Sequence, residues 1–133
     1  MMKAIRCAAL VLMLAPTIGS AQDFDAGLNA FVDGNYDTAM AIWSAAAARG
    51  VAQSQLGIGM MFEDGNGIEQ NFSVAARWYR QGAEQGHTPG QRSLARLYMN
   101  GLGVPQNTAN ALLWYRAAAE QSDAFGQFEL GNV

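Results

Sequence analysis

Few side chains in this sequence could carry out covalent or acid–base chemistry. His87 is the only histidine, and the only lysine and cysteine, Lys3 and Cys7, lie in the first 21 residues. Without that segment, the chain can build neither a Ser-x-x-Lys nor a Cys-His nucleophile. A histidine could serve as a general base, but the sequence around His87 indicates no partner that would orient it.

The acidic side chains do not form a recognisable catalytic pair or metal site either. Nothing in their spacing distinguishes the two carboxylates that glycoside hydrolysis needs. The loop from Glu63 to Gly67 could hold Ca²⁺, but a calcium loop needs more oxygen ligands, and a corresponding loop later in the chain has Met99 and Asn100 instead of acids. One histidine without cysteine cannot make a typical zinc site. We therefore expect no catalytic residue, metal or cofactor, and predict that the protein is not an enzyme.

The first 21 residues are predicted to be a secretory signal peptide. Lys3 and Arg6 give a positive start, residues 8–15 are apolar, and small residues at 19–21 offer a cleavage site before residue 22. The apolar run is too short for a permanent transmembrane helix, so an uncleaved anchor is the less favoured alternative. We expect a periplasmic or secreted protein with no stable membrane insertion after cleavage.

Charge limits the partners that residues 22–133 can bind. This segment contains six arginines and 11 acidic residues, a net charge of 6 − 11 = −5. Binding to phosphate backbones needs a surplus of basic residues, which argues against nucleic acid and against an anionic membrane surface. The segment has no cysteine, so its stability must come from packing rather than from disulfides.

A repeat of 36 residues organises most of the chain. Residues 51–86 and 87–122 align without gaps, and a fixed period in this range is typical of stacked repeat architectures. The positions that agree include Gly65/Gly101, Gly67/Gly103, Asn71/Asn107, Ala75/Ala111, Trp78/Trp114 and Tyr79/Tyr115.

Helical spacing of apolar residues places two helices in each repeat. Residues 23–49 are predicted to form a shortened leading hairpin, and residues 123–133 begin a third, partial repeat. Glycines close each repeat's first helix, and Asn71 and Asn107 are predicted to cap the second helices. Thr88 is predicted to cap the first helix of the second repeat, with Pro89 at the first helical position and a glutamine at 91 completing a capping box.

Two further groups of residues are assigned to packing. The Trp-Tyr pairs at 78–79 and 114–115 could form an aromatic ligand cage, but their position on the apolar stripe of the second helix favours the core. Gly57 and Gly59 lie inside a predicted helix, where glycine is unfavourable, so they indicate close helix–helix approach.

These units resemble the Sel1-like repeat family, a branch of the tetratricopeptide-type helical solenoids. Both copies follow the family pattern of A-x-x-x-L-G, Y-x-x-G-x-G-V, D-x-x-x-A and W-Y, with Ser54 and Gly90 for the first alanine, asparagine for the aspartate at the cap, and Phe62 for the tyrosine in the first copy. The resemblance covers residues 22–133 almost completely. It implies an all-α solenoid of stacked antiparallel helix pairs, with interaction rather than chemistry as the usual role.

The resemblance leaves alternatives to a binding role. Some cysteine-rich exported relatives have been described as binding or slowly cleaving β-lactams, but each of their repeats is cross-linked by a cysteine pair that this chain lacks. A cell-wall or β-lactam-binding enzyme is therefore the runner-up. A structural fragment of a longer repeat assembly is a third reading, because the third unit stops before its second helix.

The copies differ most on the outward side of their first helices, which lines the concave groove in tetratricopeptide-like solenoids. We call this side the first-helix face, and it is predicted to comprise Leu56, Met60, Arg92, Arg96, Met99, Phe125 and Phe128. Two arginines one turn apart could bind an acidic side chain or carboxylate of an extended peptide. The expected partner is thus a protein or peptide with an acidic feature. In the opposing interpretation, the arginines pair with nearby acids and Leu56 and Met60 contact the leading hairpin.

Overall fold

The structure, a computed structural model, describes residues 21–121, and within this range the chain forms six α-helices and no strand. In chain order the helices are α1 (residues 21–32), α2 (Tyr36–Ala48), α3 (Ala52–Asp64), α4 (Phe72–Glu84), α5 (Thr88–Asn100) and α6 (Thr108–Gln121). From α2 onward each helix packs on the next, as in a stack of helix pairs. The predicted all-α solenoid is confirmed.

Glycines and asparagines set the ends of the repeat helices. α3 and α5 end at Gly65 and Gly101, whose φ angles of 71° and 67° lie in the left-handed region that glycine adopts at low cost. The side chains of Asn71 and Asn107 accept hydrogen bonds of 3.1 and 3.0 Å from backbone N–H groups three residues on. The predicted caps of α4 and α6 are therefore confirmed.

The start of α5 differs from the prediction by one residue. Thr88 is already helical, and the extended N-cap residue is His87, which makes no side-chain cap hydrogen bond. Pro89 still lies in the first turn, where a missing N–H leaves no intrahelical bond unmade. The predicted capping box is wrong because the Gln91 side chain does not turn back to cap its own helix. Its Nε2 donates to the backbone carbonyl of Ala83 at 3.1 Å.

The bond from Gln91 is one of two equivalent links between consecutive units. At the preceding boundary, Nε2 of Gln55 donates to the backbone carbonyl of Ala47 at 3.4 Å. Both glutamines are buried, and both carbonyls lie in the last turn of the helix before. A buried polar side chain is tolerated only when it is hydrogen-bonded, so each glutamine fixes the position of one unit on the next.

Two clusters of buried apolar side chains make up the core. The first joins the leading hairpin to α3 and is built around Trp43, Ile58 and Met61. The second joins α4, α5 and α6 and includes Tyr79, Leu94 and Leu97. Phe62 is half-buried and packs against both clusters, which makes the core continuous along the stack.

Small residues allow the aromatic rings of this core to lie against helix backbones. A Cβ at Gly57 would collide with the ring of Trp43, and a Cβ at Gly59 would collide with the ring of Tyr79. The close helix approach predicted at both glycines is confirmed. The predicted core role of the Trp-Tyr pairs holds fully for Tyr79, which is 1% exposed, while Trp78, Trp114 and Tyr115 are half-buried.

Candidate partner-binding site

The first-helix face is formed by α3 and α5, the first helices of the two repeats. Met60 and Arg92 are exposed, whereas Leu56 and Met99 are half-buried and pack against the second core cluster. Arg96 is intermediate, with 42% of its side chain exposed. Phe125 and Phe128, predicted to continue this face, lie outside the described residues.

Arg96 is held by an acid of the neighbouring first helix. Its Nη2 lies 2.7 and 2.6 Å from the two carboxylate oxygens of Glu63. The Tyr79 hydroxyl donates to the same carboxylate at 2.6 Å. Glu63 therefore neutralises Arg96 from within the protein, which is the pairing that the opposing interpretation of the sequence describes.

The hydroxyl of Tyr79 is the most strongly perturbed group of this arrangement. Burial raises the pKa of Tyr79 far above its ordinary value of 10.0, and the hydrogen bond to Glu63 raises it further. The phenol consequently stays protonated and acts as a fixed hydrogen-bond donor. In this cluster Tyr79 and Arg96 hold the Glu63 carboxylate in one position.

Arg92 has a different environment from Arg96, although the two are one helical turn apart. Within residues 21–121 no carboxylate forms an ion pair with Arg92. An open depression of about 400 Å³ lies beside it, lined by Pro89, Arg92, Ser93, Arg96 and Tyr115. The guanidinium of Arg92 can therefore reach a carboxylate presented from outside.

A small apolar pocket lies where α3 meets the leading hairpin. It has a volume of about 110 Å³, and its exposed surface is entirely apolar. The side chains around it come from three helices: Phe24, Leu28 and Phe31 of α1, Trp43 of α2, and Leu56 and Met60 of α3. Leu56 and Met60 thus face the hairpin across this pocket.

The opposing interpretation of the sequence places Leu56 and Met60 against the leading hairpin but does not predict a pocket there, although the sequence contains a signal for the α1 residues that line it. Gly27 lies against the ring of Trp43 as Gly59 lies against the ring of Tyr79; Trp43 precedes Tyr79 by 36 residues, whereas Gly27 precedes Gly59 by 32. Because the turn of the leading hairpin is shorter, the α1 positions that correspond to Leu56 and Met60 lie 32 residues before them. These positions are occupied by Phe24 and Leu28.

The other residues considered for catalysis or metal binding do not come together in a site within the described residues. His87 lies at the boundary between the two repeats, where burial lowers the pKa of its imidazole and Nδ1 has no hydrogen-bond partner among the described residues. Within the described range, no three side chains of His, Cys, Asp or Glu come together as metal ligands would. In the same range, none of the helices has the length and apolar character needed to cross a membrane.

Helix pairs stacked at a fixed spacing, with an open face on their first helices, define the chain as a helical-repeat protein. The Sel1 repeat model matches residues 50–87 and 88–123, together more than half of the chain. The protein belongs to the Sel1 repeat family.

Solved structures agree with this assignment. A Sel1 repeat protein from Oxalobacter formigenes is 33% identical, with a TM-score of 0.73, over 80% of this chain and 44% of its own. The protein c5321, a protective antigen present in uropathogenic Escherichia coli strains and displaying an SLR fold, is 31% identical, with a TM-score of 0.73, over 85% of this chain and 25% of its own. The present chain thus spans less than half the length of either. No curated protein matches it.

Family membership establishes the general role of this architecture. Sel1 repeats are commonly protein-interaction scaffolds, and proteins built from them are generally not enzymes.

Proposed function

We propose that this protein is an exported scaffold that binds a protein or peptide segment on its first-helix face. Export rests on the predicted signal peptide of residues 1–21. The two copies differ on the first-helix face, as at Leu56/Arg92 and Met60/Arg96, while the loop glycines and the asparagine caps are the same in both. In a repeat protein, specificity can arise on a surface whose residues differ between copies that share the same fold.

The observation that carries this proposal is the environment of Arg92. It is an exposed cation beside an open depression, one turn from an arginine that an internal acid already neutralises. A guanidinium binds carboxylates through two parallel hydrogen bonds, which gives both affinity and orientation. The proposed partner therefore presents an acidic side chain or a terminal carboxylate to Arg92.

Charge reversal at Arg92 tests the partner site. The protein is tagged, crosslinked in cells and purified, and the co-purified proteins are quantified for wild type, Arg92→Glu and Arg77→Glu. Arg77 is an exposed arginine of α4, away from the first-helix face, so it controls for the change in net charge. We expect Arg92→Glu to deplete specific partners at least several-fold and Arg77→Glu to leave them in place. If both variants retain every partner, the assignment of the site to this face is wrong.

Export has its own test. Deletion of the apolar residues 8–15 should keep the protein in the cytoplasmic fraction, while the wild-type chain should leave the cytoplasm. Its intact mass should then correspond to a chain that begins at Gln22. A wild-type protein that remains cytoplasmic at full length would contradict export without affecting the binding proposal.

A further inference from the structure

The apolar pocket between α1, α2 and α3 has the properties of a binding site for a single side chain. Its exposed lining is entirely apolar, and its one nearby polar side-chain group is already satisfied, because Nε1 of Trp43 donates to the backbone carbonyl of Phe24 at 3.2 Å. A water molecule needs two to four polar partners, and this pocket offers none from its side chains. Its favourable occupant is therefore a hydrocarbon group.

The volume of the pocket limits that group. A cavity of about 150 Å³ lined by aliphatic and aromatic side chains is large enough for benzene. The present pocket, at about 110 Å³, is smaller. It fits the branched end of a valine, leucine or isoleucine better than an indole, which is larger than benzene.

The pocket opens to solvent at its rim, unlike a packing gap enclosed by buried side chains. Leu28 and Met60 stand on opposite sides of it, on α1 and α3, and they are 40% and 41% exposed. A group entering between them would bury apolar surface on both helices, and this surface is otherwise in contact with water.

Positive charge lies further along the first-helix face. Arg96 of α5 reaches to Glu63 of α3, and Arg92, one turn before Arg96 on α5, lies beside the depression that α5 forms with Tyr115 of α6. A segment that crosses the first helices would meet the apolar pocket between α1 and α3, and Arg92 after it. An apolar anchor and a carboxylate in one short segment would complement both.

We propose that the pocket takes one branched aliphatic side chain of the partner, with an acidic group of the same segment bound by Arg92. This deepens the proposed function and rests on it. The partner class is a peptide segment with one Val, Leu or Ile and an Asp, Glu or terminal carboxylate a few residues away. We expect a Trp anchor to bind more weakly, because its indole is larger than the space that the pocket offers.

A random heptapeptide phage library, selected on the purified protein, tests the proposal without a known partner. The selected peptides should share one aliphatic position with an acidic residue near it. Synthetic copies are then made with Ala or Trp at that position, and their dissociation constants are measured by isothermal titration calorimetry. We expect both changes to weaken binding about tenfold or more, since burial of one aliphatic side chain accounts for a factor of that order. Binding should also shift the indole N–H resonance of Trp43.

A matched pair of variants on α1 places the anchor in the pocket. Leu28→Trp should obstruct the rim of the pocket and weaken peptide binding, whereas Val32→Trp alters a side chain that is 74% exposed and does not line it. Circular dichroism and denaturant unfolding establish that both variants fold. If Leu28→Trp does not fold, the peptide series with Ala and Trp decides on its own.

The outcomes separate the two proposals. If selected peptides bind equally well with Ala, Leu or Trp at every position, the anchor pocket is wrong although a binding face exists. The pocket assignment is equally wrong if partners are captured in cells but the library yields no binder. If neither peptides nor cellular partners are found, the proposed function itself is overturned.

Discussion

At the scale of single residues, Glu63 has the largest effect on the candidate site. Its carboxylate accepts from the buried hydroxyl of Tyr79 and from Arg96, and only 15% of its side chain is exposed. Glu63 thereby links the two helices of the first repeat to the first helix of the second. It also determines which arginine of the first-helix face remains available, because Arg96 is neutralised and Arg92 is not paired by any described carboxylate.

Removal of this carboxylate should destabilise the protein through the tyrosine rather than through the ion pair. Glu63→Ala leaves the buried Tyr79 hydroxyl without an acceptor, which costs about 1–3 kcal/mol of unfolding free energy. The partly exposed pair with Arg96 adds little, since exposed ion pairs contribute about 0–1 kcal/mol. In a Tyr79→Phe background the cost of Glu63→Ala should fall by about 1–3 kcal/mol, because no hydroxyl is left without an acceptor.

Urea unfolding of the four proteins in this double-mutant cycle measures the coupling. Glu69→Ala, at an exposed glutamate of the loop after α3, is the control and should have almost no effect. Equal costs of Glu63→Ala in the wild-type and Tyr79→Phe backgrounds would show that the hydroxyl does not depend on Glu63.

His87 should make stability depend on pH. Burial lowers its pKa below the ordinary value of 6.5, so an unfolded chain binds a proton there more readily than the folded chain. The contribution of His87 to stability is fully present above about pH 6.5 and is lost as the pH falls from there through the folded-state pKa. His87→Gln should therefore lose less unfolding free energy than wild type between pH 7.5 and pH 5. Identical losses in the two proteins would contradict a lowered pKa.

At the scale of helices and turns, the long loop inside each repeat packs against the unit before it. Gly103, in the loop between α5 and α6, lies against the backbone of Phe72 at the start of α4, and Ser73 donates to the carbonyl of Gly103 at 3.2 Å. At the equivalent place in the first repeat, Gly67 lies against the side chain of Tyr36 at the start of α2. These glycines thus serve the contact between repeats as well as the turn.

Substitutions at Gly103 and Gly50 distinguish the role of glycine in the turn from its role in the contact between repeats. Both have positive φ, 69° and 86°, but a Cβ at Gly50 would meet nothing within 4 Å, whereas one at Gly103 would collide with the backbone of Phe72. Gly50→Ala should cost only the conformational strain, about 1 kcal/mol. Gly103→Ala should cost about 1–3 kcal/mol more, because the loop must move away from α4. Denaturant unfolding midpoints measure both costs, and equal values would mean that the loop contact is dispensable.

The elements also show how far the sequence predicts this protein. The caps at Asn71 and Asn107 are predictable because a cap depends on residues within one turn. The N-cap at His87 is not, since it depends on Gln91 bonding to the previous helix. The sequence gives pairing of Arg96 with a nearby acid only as an alternative, because Glu63 lies 33 positions away and the packing of neighbouring helices brings the two side chains together. The pocket likewise depends on a 32-residue offset in the leading hairpin that the 36-residue period conceals.

At the scale of the whole molecule, stability is distributed along the stack rather than concentrated in one centre. The cluster around Trp43 belongs to the leading hairpin and α3, and the cluster around Leu97 belongs to α4, α5 and α6. Each unit mainly contacts its neighbours, so the stability of such an array is approximately a sum of local terms and interface terms. Half-buried Phe62 is the side chain that packs against both clusters.

Two core truncations should therefore destabilise opposite ends of the chain. Trp43→Ala removes a side chain that is 3% exposed and should cost about 3–5 kcal/mol, with amide exchange protection lost mainly in α1 and α2. Leu97→Ala removes a fully buried side chain and should cost about 2–5 kcal/mol, with protection lost mainly in α5 and α6. Hydrogen exchange followed by mass spectrometry on both variants measures the pattern.

If each variant loses protection uniformly from α1 to α6, the described part of the chain unfolds as one cooperative unit. The first-helix face could then be altered by mutations at either end. If each variant instead loses protection mainly at its own end of the stack, the apolar pocket and Arg92 belong to separate units. Each can then be changed while the other remains folded.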